Sequence, residues 1–190
     1  MYLDDAVQAT AGFEGRVNWM YLDTTRTVTV GVGQSIQSAR QALKYPFQRP
    51  DASLASSDEI LAEYATVMEM MPGNVAKAYR RSSSLLLNNA AIDTIFRSTV
   101  VECAEELVHL FPDFDEYPDP IKVVLIDMDY NLGTTKLRRA YPLFCNAVKN
   151  HLWSVAALHC HRIGPAPERN VWTGEQFFRA IEEEERRQTA

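Results

Sequence analysis

The sequence predicts a mostly helical α+β fold, and three observations carry that prediction. Apolar residues recur at helical spacing in several segments of the chain. One pair of neighbouring short runs is instead rich in β-branched and aromatic residues, which is typical of strands. Hydrophobic residues make up 46% of the 190 residues, so the chain can bury a substantial core without disulfides or metals. We therefore expect one compact unit with a small β-structure and many helices.

The predicted strands form a hairpin near the N-terminus. They cover residues 17–21 and 27–32, and the polar residues between them are typical of a turn. In the second run three valines alternate with polar or small residues, among them Thr29 and Gly31. Because side chains alternate along a strand, we expect one face of this strand to be apolar and packed and the other to be polar and open.

Helices are predicted on both sides of the hairpin from caps, breakers and apolar spacing. The longest covers about 88–111, and the segment 121–132 is apolar nearly all round, which indicates a central position. Proline-rich loops and the remaining helices complete the chain. The loops cover 45–57 and 112–120, and the helices cover 4–12, 35–44, 57–71, a short piece ending at 81, 143–149, 152–161 and 170–187.

Charge and composition exclude several classes of function. The net charge of −6 argues against a nucleic-acid binder, whose surface would carry a basic field. The three cysteines lie in apolar helical contexts, so we expect buried thiols and no disulfides. No apolar run reaches the roughly 20 residues that span a bilayer, so we expect no membrane span. The N-terminal residues lack the basic and apolar regions of a signal peptide.

Two polar clusters resemble metal sites only superficially. Asp127, Asp129 and Asn131 begin like a calcium loop, but Leu132 and Arg138 stand where that loop needs glycine and glutamate. We interpret the cluster as a chance group of polar residues on one helix face. Two histidines that flank position 160 point to different faces of a helix, which disfavours joint zinc binding. We expect no metal and no cofactor.

Glu14, Asp23 and Thr29 form the candidate catalytic set. Glu14 falls at the C-terminal end of the first predicted helix, where the helix dipole disfavours a charged carboxylate and suits a proton donor. Asp23 lies at the hairpin turn, and Thr29 lies on the return strand. Glycoside hydrolysis needs one acid for the departing oxygen and one carboxylate that activates water or attacks directly. A separation of about 6.5–9.5 Å would leave room for that water, as in inverting enzymes.

These residues resemble the active-site hairpin of the phage-type lysozymes, the endolysin and muramidase family typified by the T-even bacteriophage enzyme. Glu14, Asp23 and Thr29 meet the family spacing E-x₈-D-x₅-T in full. Two further blocks are similar to the family's far cleft wall, F-N-x-G, and to its C-terminal block. They are Asp129-Tyr130-Asn131-Leu132-Gly133 and, more weakly, His161-Arg162 with Pro167-Glu168-Arg169. The chain departs from the family at Gln34, where histidine is usual, and in a longer stretch at 44–87.

The resemblance implies a lysozyme-like fold in which a β-hairpin lobe and a helical lobe flank a cleft. It implies a single domain over 1–190. Within it, the active-site hairpin would be 13–33, the stretch 44–87 an insertion, 88–111 an interlobe helix and 119–190 the helical lobe.

The resemblance also implies roles for individual residues. Glu14 would be the general acid, Asp23 the carboxylate that faces the anomeric carbon, and Thr29 the residue that positions water. Arg169 would pair with the catalytic glutamate. Gly31, Asn131 and Arg169 are expected to bind substrate or support the site.

The function implied is that of a glycosidase that cleaves MurNAc–GlcNAc β-1,4 bonds in peptidoglycan, either as a bacteriolytic endolysin or as an antibacterial effector toxin. Glycan strands would be its partners, together with an immunity protein or secretion machinery in the second setting. Lacking its own signal peptide, it would reach the peptidoglycan layer after release or delivery by another system. Two alternatives stay open: a hydrolase of chitin or chitosan, and an inactive lysozyme-fold binding module.

Overall fold

A computed structural model describes residues 2–189 and confirms a mostly helical α+β fold with one small antiparallel sheet. The chain divides into two compact units. Unit 1 combines the residues up to Phe13 with those from Ser98 onward, and unit 2 is Glu14–Arg97. The predicted single domain and its internal divisions stay predictions.

The sheet of unit 2 confirms the predicted hairpin and extends it by one strand. β1 (Val17–Leu22), β2 (Val28–Gly31) and β3 (Gln34–Ile36) follow one another in the order β1-β2-β3, and both pairings are antiparallel. The turn between β2 and β3 is tight because Gly31 and Gly33 both have positive φ, a conformation that glycine adopts at little cost.

Two predictions for this region are wrong. The helix expected over 35–44 shrinks to α2 (Ala39–Ala42), capped by the Ser38 hydroxyl, because the preceding residues pair with β2 as a third strand. The second face of β2 is also not open to solvent, since Thr29 is only 5% exposed. This strand is central in the sheet, and a Cβ placed on Gly31 would lie 3.3 Å from the side chain of Ile92.

The rest of unit 2 packs around the sheet. α3 (Ser57–Met68) begins with a capping box in which Ser56 and Glu59 satisfy each other's backbone N–H groups, one residue before the predicted cap. A 3₁₀ helix at Ala76–Tyr79 stands where a short helix was predicted. The core is apolar and includes Met20, Leu22, Val28, Val30, Ile36, Phe47, Ile60 and Val67.

α-Helices and a short 3₁₀ helix, Phe114–Glu116, make up the regular structure of unit 1 in the described residues. α4 (Asn89–Leu110) confirms the longest predicted helix. The boundary between the two units falls inside this helix. The other helices are α1 (Tyr2–Phe13), α5 (Asp119–Leu132), α6 (Thr134–Ala140), α7 (Pro142–Lys149), α8 (Trp153–His159) and α9 (Pro167–Gln188). α5 is buried along most of its length and packs against α1, α6 and α9, so it is central within this unit as predicted.

α6 was not predicted, and α9 begins three residues earlier than expected, because Pro167 occupies its first turn. Cys103, Cys145 and Cys160 are buried free thiols, as predicted. Within residues 2–189, no helix combines the length and the apolar character that crossing a bilayer requires.

Candidate functional site

Glu14 lies at the junction between α1 and the sheet. It directly follows Phe13, the last residue of α1, as the sequence predicted, and two residues separate it from β1. The side chain is half-buried. Glu14 therefore lies at the carbonyl end of α1, where the helix dipole is negative.

Asp23 organises the turn between β1 and β2. Its Oδ1 accepts hydrogen bonds from the backbone N–H groups of Thr25 and Thr27, both at 2.8 Å. The Thr25 hydroxyl donates to Oδ1 at 2.9 Å and lies 3.0 Å from Oδ2. The turn also holds Arg26 at φ 64. One carboxylate oxygen is thus fixed by the backbone, while Oδ2 meets only a hydroxyl among the described contacts.

Thr29 lies on β2 directly opposite Tyr21 of β1. Paired residues of an antiparallel sheet share a face, so these two side chains are neighbours. The Thr29 hydroxyl donates to the carbonyl of Thr27 at 3.3 Å, a long hydrogen bond.

Tyr21 links the three predicted residues. Burial raises the pKa of its phenol, and the charges of Asp23 and then Glu14 raise that pKa further. Both carboxylates therefore lie close enough to this phenol to act on it electrostatically, and Thr29 is its partner across the strands. Tyr21 was not predicted as a site residue, although its place in β1 two residues before Asp23 could have suggested it.

Aromatic side chains continue this region along β1. The Tyr21 ring lies 6.4 Å from that of Tyr79. Trp19 is half-buried, its indole N–H donates to the Ala76 carbonyl at 2.9 Å, and the Arg80 guanidinium lies 4.7 Å from its ring centroid. The 3₁₀ helix Ala76–Tyr79 and the residue after it thus hold these aromatic rings in place.

Gly31 has a structural reason to be glycine. Its φ of +67 disfavours other residues, and the contact that a Cβ would make with Ile92 adds a steric limit. Its predicted part in supporting the site stays a prediction.

Asn131 and Arg169 belong to unit 1. Asn131 is exposed in the last turn of α5. Arg169, only 4% exposed in the first turn of α9, donates to both oxygens of Asp127, and its guanidinium lies 5.2 Å from the centroid of the Phe13 ring. The roles predicted for both residues alongside Glu14 stay predictions.

Asp127 is the centre of a buried charge network. Besides Arg169, the Arg162 guanidinium contacts its Oδ2 at 3.0 Å, and both side chains of this second pair are fully buried. The interpretation of this cluster as chance polar residues on a helix face is wrong for Asp127, because a buried carboxylate requires cationic partners. An aspartate in a helix that is otherwise apolar all round was the sequence signal for such a pair.

Asp129 occupies a different environment on the same helix. It is 3% exposed, and among the described residues no group hydrogen-bonds to its Oδ1. Burial raises the pKa of Asp129 to about 6, which hydrogen bonding by Thr134 and Cys103 opposes and the Glu106 carboxylate reinforces. Glu106 itself accepts a short hydrogen bond from the Thr134 hydroxyl.

In residues 2–189, no group of three or more His, Cys, Asp or Glu side chains is arranged to hold a metal ion. A scan against protein-family models and a search of curated proteins both find no match to the chain.

Proposed function

We propose that the chain is a glycosidase that cleaves the MurNAc–GlcNAc β-1,4 bonds of peptidoglycan. The observation that carries the proposal is that Glu14 and Asp23 both act electrostatically on the Tyr21 phenol, and that Tyr21 lies opposite Thr29 across the strands. Hydrolysis of a glycosidic bond uses a pair of carboxyl groups that flank the bond.

The surroundings of the two acids suit different roles. Glu14 is half-buried at a helix end and is the proton donor for the departing sugar oxygen. Asp23 has one oxygen fixed by the turn, and its Oδ2, which contacts the Thr25 hydroxyl, would act on a water or on the anomeric carbon. Thr29 would hold that water.

The aromatic residues next to the acids support a carbohydrate substrate. Trp19 and Tyr21 are half-buried on the same strand, and aromatic rings of this kind can pack on the apolar face of a sugar. In this proposal the fold is lysozyme-like, with a hairpin lobe and a helical lobe on either side of the glycan. The protein acts at the peptidoglycan layer as an endolysin or a delivered antibacterial effector.

Digestion of purified peptidoglycan followed by mass spectrometry tests the proposal. We expect new reducing-end MurNAc from the wild type, and a loss of at least 100-fold in its rate of release for Glu14→Gln, because general acid catalysis contributes about 10²–10⁴-fold. Asp23→Asn should cause a similar loss, since the amide keeps an oxygen for the turn but cannot act as a base or nucleophile.

Glu69→Gln is the matched control, because Glu69 is an exposed residue after α3. It should retain the wild-type rate. Release of stem peptides alone, or an unchanged rate in Glu14→Gln, would contradict the proposal. A panel with chitin and chitosan separates the alternative hydrolase, and a wild type inactive on every polymer would favour the binding module.

A further inference from the structure

A groove of about 370 Å³ in unit 2 contains two arginine–glutamate pairs. It lies between the loop after α2, helix α3 and the segment that follows the 3₁₀ helix Ala76–Tyr79. Its lining includes Arg49, Glu59, Glu63, Thr66, Arg81 and Ser83. The two pairs differ sharply in how many of their hydrogen-bonding groups are used.

The Arg49–Glu59 pair is saturated. Arg49 donates through Nε and Nη2 to the two oxygens of Glu59 at 2.7 and 2.6 Å, and through Nη1 to the Leu54 carbonyl at 2.6 Å. Glu59 also accepts from the backbone and the hydroxyl of Ser56. This pair fastens a loop to the start of α3 and has little capacity left for a ligand.

The Arg81–Glu63 pair is not saturated. Glu63 is 8% exposed, its Oε2 accepts from Arg81 Nη2 at 2.5 Å, and no group among the described residues donates to its buried Oε1. Within residues 2–189, the only other hydrogen bond described for the Arg81 side chain runs to Met70 Sδ, a weak acceptor, at 3.5 Å. A buried carboxylate oxygen without a hydrogen-bond donor destabilises the folded protein, and a ligand that donates to this oxygen would remove that cost.

We propose that Glu63 and Arg81 form a binding site for a zwitterionic amino-acid end group. The ammonium of the ligand donates to Glu63, and its carboxylate accepts from the N–H groups of Arg81 that the protein leaves unused. One ligand group thereby satisfies both members of the pair, which neither a simple amine nor a simple acid can do.

The binding site does not depend on the proposed catalytic function, but its biological source does. If the chain cleaves peptidoglycan, the matching group is the free end of a diamino acid in a wall stem peptide, because that end carries an ammonium and a carboxylate on one carbon. The groove would then hold the peptide while the hairpin acts on the glycan.

Titrations followed by NMR test the site with three matched probes. Diaminopimelic acid carries the zwitterion at both ends, pimelic acid lacks the amines, and 1,5-diaminopentane lacks the carboxylates. We expect diaminopimelic acid to shift the signals of the Met70 methyl group and the Glu63 amide, and to bind at least 10-fold more tightly than either analogue. Equal binding of all three probes, or none, would overturn the proposal.

Two variants and one control locate the binding. Glu63→Gln and Arg81→Lys should each weaken diaminopimelic acid at least 10-fold, and the second stands in if the first does not fold. Arg49→Lys, in the same groove, should change the affinity less than twofold. Unchanged binding in a folded Glu63→Gln or Arg81→Lys protein would overturn the assignment.

A disaccharide-peptide wall fragment that ends in the diamino acid distinguishes the two sources. Tighter binding than the free amino acid supports a wall peptide, and equal binding supports a free amino acid at the same site. Diaminopimelic acid contains no glycosidic bond, so its binding is measured independently of peptidoglycan cleavage. Failure of the catalytic proposal and failure of this site therefore give different results.

Discussion

Two aspartates of α5 lie two residues apart and are both buried, yet their surroundings differ completely. Asp127 is 0% exposed and is held by Arg162 and Arg169, while Asp129 is 3% exposed and has an oxygen without a described hydrogen-bond partner. Consecutive odd positions of a helix face different neighbours, so one turn of α5 places one carboxylate against α9 and the other against Cys103 and Thr134.

The network at Asp127 also connects Arg162 to α9. Arg162 donates from Nη2 to the Thr173 hydroxyl at 2.7 Å, and Asn170 clamps the backbone of Arg162 with two hydrogen bonds of 2.9 Å. Burial lowers the pKa of Arg162, and Asp127 opposes that shift. Two carboxylates of similar burial can thus have very different surroundings, because two arginines lie against Asp127 and none is described against Asp129.

The largest expected effect comes from removing the partnered carboxylate. Asp127→Ala removes the carboxylate that two buried guanidinium groups contact. We expect a decrease of about 3–5 kcal/mol in the free energy of unfolding. Denaturant unfolding at neutral pH measures it. Asp119→Ala is the control, because that side chain is 62% exposed and its contact with Lys122 is 3.9 Å long. A loss in Asp127→Ala no larger than in this control would contradict the buried network.

The next effect has the opposite sign. Asp129→Asn removes a charge that burial disfavours, so we expect a gain of about 1–3 kcal/mol in the free energy of unfolding at pH 8. The pKa of Asp129 in the folded protein is about 6, above its ordinary value of 3.8. Protonated Asp129 therefore contributes to the free energy of unfolding of the wild type below about pH 4, and this contribution is lost as the pH rises through 6.

Denaturant unfolding of both proteins at pH 4 and at pH 8 measures this second prediction. The gain from Asp129→Asn should be small at pH 4, where the wild-type carboxyl is protonated. A gain of equal size at the two pH values would show that the substitution acts through packing and not through charge.

The smallest effect concerns the thiol beside Asp129. Hydrogen bonding by Cys103 lowers the pKa of that carboxyl, so Cys103→Ala should move its titration upward by less than about one pH unit. An NMR titration of the Asp129 carboxyl carbon reports the midpoint, and Cys145→Ala, on α7, should leave it unchanged. A downward movement in Cys103→Ala would contradict the hydrogen bond.

The sequence predicted those elements whose pattern is local. Alternating valines gave β2, and the broad apolar stripe gave α4 within a residue at each end. β3 was missed because its three residues become a strand only by pairing with β2, and α6 was missed because a short helix with a single buried residue, Leu137, has almost no apolar pattern.

Positions that depend on distant contacts were harder to predict. The sequence predicted the correct elements for Glu14, Asp23 and Thr29. Tyr21 could be recognised as a neighbour of Thr29 only from the strand register, which the sequence did not predict. The partners of Asp127 come from 35 and 42 residues further along the chain. No spacing rule within one helix could have identified them.

The distribution of the buried thiols offers a way to watch the two units separately. Cys103, Cys145 and Cys160 all belong to unit 1 and all are buried, whereas unit 2 contains no cysteine in its sequence. A thiol-specific reagent should therefore react when unit 1 opens, so the rate of thiol modification measures the rate of that opening. A ligand that binds only unit 2 would lower this rate only if the two units unfold together. The same reagent therefore measures the cooperativity of their unfolding.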